Sequence, residues 1–345
     1  MQKNIISRKM ELLNQYLKGV MINYILKSEY KKILIIHFSL FILLVFSSCQ
    51  KTVYFDVETQ ENKLVVNSFI GPESGAIADV SLSLAPLDYD EYPEYITNAT
   101  LQLFKNEILI ANYTYNETLY KYTIDNSLTA ANEGDVFKVI ASVPGKETVS
   151  AITTIPEKVE IENIHIADTI ELINHEVIYD SLGYPIFTED TIPYYKIEIE
   201  FTDPAGENYY NLITTYEDAS ASGNVCFTTN DPVYTLGDEF SFGDSENDFY
   251  TVCDNAYFSD ITFNGTKKIL TVYLIQVDGV FFDDPKYIFT LQHVSSEYYK
   301  YFSTVNLQNG GTDNPFAQIV TVFSNIEGGF GIFSSYNEIT AEIEL

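Results

Sequence analysis

The sequence predicts an all-β protein of two β-sandwich-like domains with one short helix near residues 296–308. Three observations predict it. Apolar residues recur at every second position in segment after segment, the pattern of strands with one buried face. Tyr and Phe, which suit pleated, half-buried surfaces, number 27 and 23. One stretch departs from that period: in SSEYYKYFSTVNLQNGG, Tyr298, Phe302 and Val305 return at helical spacing, a Ser caps the start and Asn309-Gly310 ends it.

Taken in order, the chain opens with a segment that belongs to no fold. LIIHFSLFILLVFSSCQK (34–51) contains a 14-residue apolar run, Ile33 to Phe46, after Lys31-Lys32. A helix needs about 20 apolar residues to span a bilayer, so the run is too short. Charged, apolar and then small residues are the order of an export signal, and Phe46-Ser47-Ser48-Cys49 resembles a lipobox, in which the thiol takes a diacylglycerol and becomes the new N-terminus. Phe46 departs from the usual Leu of that pattern. Residues 1–48 read as leader, with Met21 an alternative start, and residues 49–62 as an anchor linker.

The first β-rich domain is expected over 63–156. LQLFKNEILIANYTYNETLYKYTI (101–124) reads as three strands of a meander, turning at Lys105-Asn106-Glu107 and Asn116-Glu117. Phe137, Val139, Ala141 and Val143 form a period-2 face. A turn at Pro144-Gly145 and then Pro156 place the domain boundary. The second domain, 157–345, holds the alternation of Ile197, Ile199 and Phe201 against Lys196, Glu198 and Glu200. DPAGENYYNL (203–212) reads as a turn followed by a strand with Tyr209 and Tyr210 on opposite faces. Gly328, Gly329 and Gly331 bend a strand or admit close backbone approach. Ile339, Ala341, Ile343 and Leu345 close the chain with a further period-2 face.

Charge narrows the chemistry. The leader holds 7 of the 19 Lys+Arg and 2 of the 49 Asp+Glu, so the remainder carries 12 basic and 47 acidic residues and a formal charge of −35. Such a chain repels nucleic acid. Its one Arg, Arg8, lies in the leader, so the rest of the chain has no guanidinium for bidentate recognition of phosphate or carboxylate. Cys226 and Cys253 remain after lipidation of Cys49, and export to an oxidising compartment makes a disulfide between them the natural pairing. The alternative is two unpaired buried thiols.

Catalytic signatures are lacking in the sequence. His165, His175 and His293 form no short metal-binding spacing. There is no G-x-S-x-G elbow and no phosphate-binding glycine loop. Asp238, Asp244, Glu246 and Asp248 in the turn-rich GDEFSFGDSENDF are weak candidate calcium ligands, although their spacing is not that of an EF-hand; the alternative is a solvated acidic loop. Otherwise no cofactor is expected. Paired carboxylates suit a glycosidase, but in a chain with 47 acids such pairs arise by chance.

Several phrases in order resemble the Bacteroidota lipoprotein family catalogued as domain of unknown function 4249: KLVVNSFI (63–70), VSLSL (80–84), ITNATLQLF (96–104), DPAGENYYNL (203–212), FSDITFNG (258–265), SSEYYKYFSTVNLQ (295–308) and FSNIEGGFGIFSSY (323–336). The resemblance implies a lipid-anchored envelope protein with an immunoglobulin-like or transthyretin-like N-terminal sandwich and no established catalytic residues. It also implies a TonB-dependent outer-membrane receptor as candidate partner. The expectation is therefore a non-enzymatic accessory or binding lipoprotein of the outer membrane, on either its periplasmic or its outer side. The alternative is an exported carboxylate-dependent hydrolase acting on glycan or peptide.

Overall fold

The computed structural model describes residues 61–84, 92–179, 184–217, 222–234, 249–253, 256–276, 286–310 and 320–344. Residues 60–345 form one compact unit. The protein is mostly β, with several antiparallel sheets and few short helices.

The first strands are β1 (Leu64–Gly71), β2 (Gly75–Leu82), β3 (Thr100–Lys105), β4 (Ile108–Asn112), β5 (Thr114–Asn116) and β6 (Lys121–Ile124). A one-turn helix α1 (Asn126–Thr129) precedes β7 (Val136–Ser142) and β8 (Val149–Thr154). Two long strands follow, β9 (Ile161–Tyr179) and β10 (Pro185–Thr202), then β11 (Tyr209–Glu217), β12 (Ser222–Asn224) and β13 (Phe227–Thr229). The remainder is β14 (Tyr250–Val252), β15 (Tyr257–Ser259), β16 (Lys267–Ile275), β17 (Lys286–Val294), helix α2 (Ser296–Gly310) and β18 (Phe330–Glu344).

These strands make three sheets. The largest runs β12-β11-β17-β18-β1-β2-β6-β5, with β15 added beside β11; the others run β14-β13-β16-β10-β9 and β4-β3-β7-β8. Two apolar cores lie between them. Leu64, Val66, Leu103, Phe137, Val139 and Ala151 centre the first, to which Ile326 and Phe333 return from the C-terminal segment. Ile197, Ile199, Phe201, Tyr210, Leu270 and Phe289 centre the second. The large sheet thus contributes to both, joined where β18 pairs with β1, Val65 opposite Phe330.

That joint is parallel, and glycine makes it. Gly331 has φ 100°, and a Cβ there would stand 2.2 Å from the Val66 carbonyl oxygen; one on Gly329 would stand 2.5 Å from that of Leu64. Only a residue without a side chain admits this approach.

The meander expected over 101–124 needs correction. The stretch holds four strands, and they fall in two sheets: β3 pairs with β4 in the four-stranded sheet, β5 with β6 in the largest. The chain crosses at Tyr113, whose ring is buried and whose hydroxyl meets Ser68 Oγ at 3.0 Å. Continuous with the strands on either side, Tyr113 reads as strand alternation in sequence, yet here it anchors the crossing.

Beyond the second core, β9 and β10 continue as a hairpin. Their pairing extends from Ile161 opposite Phe201 to Tyr179 opposite Pro185. Among the described residues the third strand, β16, accompanies β10 from Tyr194 to Thr202. Residues 171–179 and 185–193 form, among those residues, a two-stranded arm roughly 30 Å long at ~3.3 Å per residue.

Candidate functional site

Two phrases that look unrelated in sequence, DPAGENYYNL and FSDITFNG, close into one buried polar knot. β15 pairs with the start of β11, Tyr210 opposite Phe258. The Tyr210 hydroxyl donates to Asp203 Oδ1, and Gly265 N–H donates to Asp203 Oδ2 at 2.7 Å. Asn208 donates to Asp260 Oδ2 from its backbone N–H at 3.0 Å and its amide at 3.3 Å. Asn264 and Gly206 bond each other reciprocally. The imidazole of His293 stacks on Tyr210 and donates from Nδ1 to the Glu157 carbonyl at 2.8 Å.

The electrostatics follow from burial. Asp203, Asp260 and His293 are all buried. Burial, with Asp203 nearby, raises the Asp260 carboxyl above the usual range. Burial lowers the His293 imidazole, and burial with the Asp203 bond pushes the Tyr210 phenol far up, so that it stays a donor. A shallow groove of about 260 Å³, lined by Glu157, Glu160, Glu162, Thr202, Asp203 and Pro204, opens beside the knot. Both Asp203 oxygens are already held by protein donors. The arrangement clamps two turns against a strand.

Helix α2 uses its aromatic residues in packing. Tyr209 stacks on Tyr299 at 4.5 Å between ring centres, Phe302 stacks on Phe69, and Tyr257 donates its hydroxyl to the Phe302 carbonyl. Tyr298, buried, joins Tyr209 and Val294 in a small third core. Tyr209 thus faces the helix while Tyr210 faces the second core.

An uncovered surface lies on the arm. Ile197, Ile199 and Phe201 of β10 point into the second core, so alternate residues point outward. Near the core this outward face is largely polar, with Ile269 exposed among the charges: Lys196 meets Glu198 at 2.6 Å, Lys267 meets Glu200 at 2.5 Å and Glu162 at 3.3 Å, and Asn163 donates to Glu200. Further out the same face turns apolar for two steps, Tyr194 between Ile170 and Ile275 and Ile192 opposite Leu172; Asp190 and Thr188 hold the next positions of that register, and Ile186 comes after them. Ile275 and Ile186 are 47% and 44% exposed. A bulge sets this up: Asp168 pairs with Lys196 and Ile166 with Ile197, leaving Ala167 unpaired. The extra residue reverses the alternation of β9 and brings Ile170 and Leu172 onto the outer face.

The candidates from sequence fall as follows. Cys226 and Cys253 are joined by a disulfide with Cα atoms 4.0 Å apart, tying the start of β13 to the end of β14. Cys49 and the acidic residues Asp238, Asp244, Glu246 and Asp248 lie outside the described residues, as do the side chain of His175 and residue Leu345. His165 stands on the polar outer face, 3.8 Å from Glu198. Among the described residues no group of three metal-ligating side chains converges. The sequence does not reveal the arm: Ile164, Ile166, Ile170 and Leu172 keep one phase across Ala167, and only the bulge moves the last two to the outer face.

Comparison with curated proteins returns no match. The sequence model of the family described as domain of unknown function DUF4249 matches residues 50–342. Covering most of the chain, that match places the protein in the family: it is a member of the domain of unknown function DUF4249 family.

Proposed function

We propose that this chain is a lipid-anchored accessory protein of the outer membrane that works by binding rather than by catalysis, with a TonB-dependent receptor as its partner in nutrient uptake. The observation that carries the reading is the arm. A two-stranded ribbon is at best marginally stable on its own, and this one displays apolar side chains that the described residues leave exposed, as surfaces built for a partner do. The signal ending at Cys49 supports confinement to a membrane, which raises effective concentration toward other residents of that membrane. The test is recovery of tagged protein from mildly solubilised outer membranes after cross-linking in cells. A receptor recovered near stoichiometrically supports the reading; a lone lipoprotein contradicts it. Cys49→Ala should abolish labelling by a fatty-acid probe and release the chain from membranes, and an unlabelled wild type would remove the anchor from the account.

A hydrolase reading draws on one observation, the raised Asp260 carboxyl near Asp203 beside an open groove. Against it stand the protein donors that hold Asp203 on both oxygens. Hydrolysis of glycan or peptide that is lost in Asp260→Asn, with the fold intact, would establish it. Unchanged background hydrolysis would dismiss it.

A further inference from the structure

The two edges of the arm are not alike. Gln276 N–H donates to the Pro193 carbonyl at 2.9 Å, which fixes the odd-numbered residues of β10 as those whose backbone groups face β16. Even-numbered residues of β10 then face β9, and their partners Ile170 and Leu172 use their backbone groups inward. Glu171 and Ile173 consequently aim N–H and C=O away from the hairpin. Along β10 the free edge carries Pro193 and Pro185, one at each end, and neither has an N–H to offer. Proline is a common protection of an exposed edge, and lysine another. The β9 edge has neither: from Ile161 to Tyr179 it contains no Pro and no Lys, and among the described residues no strand pairs with its outer side. Of the outward groups near the bulge, Thr169 N–H is taken by its neighbour, Asp168 Oδ1, at 2.8 Å. Pairing on this edge therefore starts at Glu171.

Charge selects what can pair there. From Glu171 to Tyr195 the chain holds five Asp and Glu and no Lys or Arg. A second copy would bring the same five carboxylates against them, and like charges across a strand pair are destabilising. We infer that the outer edge of β9, from Glu171 to Ile173 and outward, is an acceptor for an extended, Lys- or Arg-bearing segment of a partner protein, added as a further antiparallel or parallel strand. The inference rests on the binding role proposed above and specifies its mode: main-chain bonds supply affinity, the acidic flank supplies the choice of partner, and the apolar outer face packs alternate side chains of the incoming strand.

A defined probe tests it on the whole lipidated chain in detergent. Labelled extended peptides of alternating Lys and Val, alternating Glu and Val, and alternating Lys and Pro are titrated by fluorescence anisotropy. The Lys-Val peptide should bind saturably, the Glu-Val peptide should not, and the Lys-Pro peptide, which lacks half the donors, should bind at least tenfold more weakly. Ile173→Pro leaves every charge in place and removes one outward N–H; with the disturbed bonds beside it, affinity should fall about tenfold, the equivalent of one or two hydrogen bonds. Glu171→Lys should narrow the preference for the Lys-Val over the Glu-Val peptide severalfold. Equal binding by wild type and Ile173→Pro would reduce the effect to bulk charge and overturn the inference, as would equal binding of all three peptides. A photo-cross-linker at position 173 in cells should join the chain to a peptide containing Lys or Arg from another protein; linkage to a second copy would also overturn it. A partner recovered from membranes yet never linked through position 173 refutes the strand-addition mode and leaves the binding role standing, whereas recovery of no partner by any route removes that role itself.

Discussion

The same two strands, β9 and β10, build two different surfaces. Toward the core, β10 lies between β9 and β16, its inward residues Ile197, Ile199 and Phe201 are buried, and its outward charges are matched by Lys196 and Lys267. Past Tyr194 no third strand accompanies β10 among the described residues, and the next outward residue is Ile192, with Leu172 across from it. The first region is explained largely by the fold: its outward lysines have carboxylate partners and its inward residues Ile197, Ile199 and Phe201 a core, although Ile166 and Ile269 stay exposed. Nothing in the fold explains the second. The difference teaches that a strand can change purpose along its length, and that a single bulged residue, Ala167, marks the change.

Four perturbations sharpen this contrast, taken from the largest expected effect downward. Phe201→Ala in the root should cost about 3–5 kcal/mol, since it opens a cavity in a packed core; denaturant titration reads the loss, and a cost below ~1 kcal/mol would mean the root is not core. Breaking the disulfide with Cys226→Ser should cost ~3.5 kcal/mol in the chain-entropy model for the 27-residue separation. Peptide mapping of a non-reduced digest checks that the bond is present.

The third concerns pH. Burial favours neutral His293, so its folded value lies below that of the unfolded chain, about 6.5. The unfolded chain then takes up the proton first. Stability from this group is present above pH ~6.5 and lost as pH falls through the folded value. Asp260 opposes it: its raised carboxyl favours the folded state at low pH, and that contribution is lost as pH rises through its folded value. Asp203 and Glu157 also face the imidazole and draw its value back up. Stability measured at pH 7 and pH 5 should fall less in His293→Phe than in the wild type; equal slopes would show that His293 is not held neutral. The smallest effect belongs to the arm: Leu172→Thr should alter stability by no more than ~0.5 kcal/mol while weakening recovery of a partner.

How much of this was legible in the sequence follows from the range of each interaction. The alternation at Ile197, Ile199 and Phe201 is local, and it gave the strand and its buried face. The helix was legible for the same reason, with Tyr298 and Phe302 inward at a four-residue spacing. Gly329 and Gly331 signalled close approach, but not that β1, more than 260 positions earlier, was the strand approached. The knot of Asp203, Tyr210, Asn208 and Asp260 unites phrases some 50 positions apart, and neither is unusual alone. The arm stayed hidden for a subtler reason. Alternation reports which residues share a face only while the register is unbroken, and the residue that breaks it, Ala167, carries no signal of its own.

The central claim is that the arm serves binding and the root serves folding. It is tested most directly by removing one and keeping the other. Ile170 and Tyr194 form a hydrogen-bonded pair, so residues 171–193 can be replaced by Asn-Gly, a turn suited to closing such a pair, with the whole β10–β16 ladder retained. The melting temperature and the partner recovered from cross-linked membranes are then measured on the same preparation. The account predicts melting within roughly 2 °C of the wild type, about 1 kcal/mol in a chain of this size, together with loss of the partner. A shortened chain that unfolds, or one that keeps its partner at the wild-type level, would contradict it.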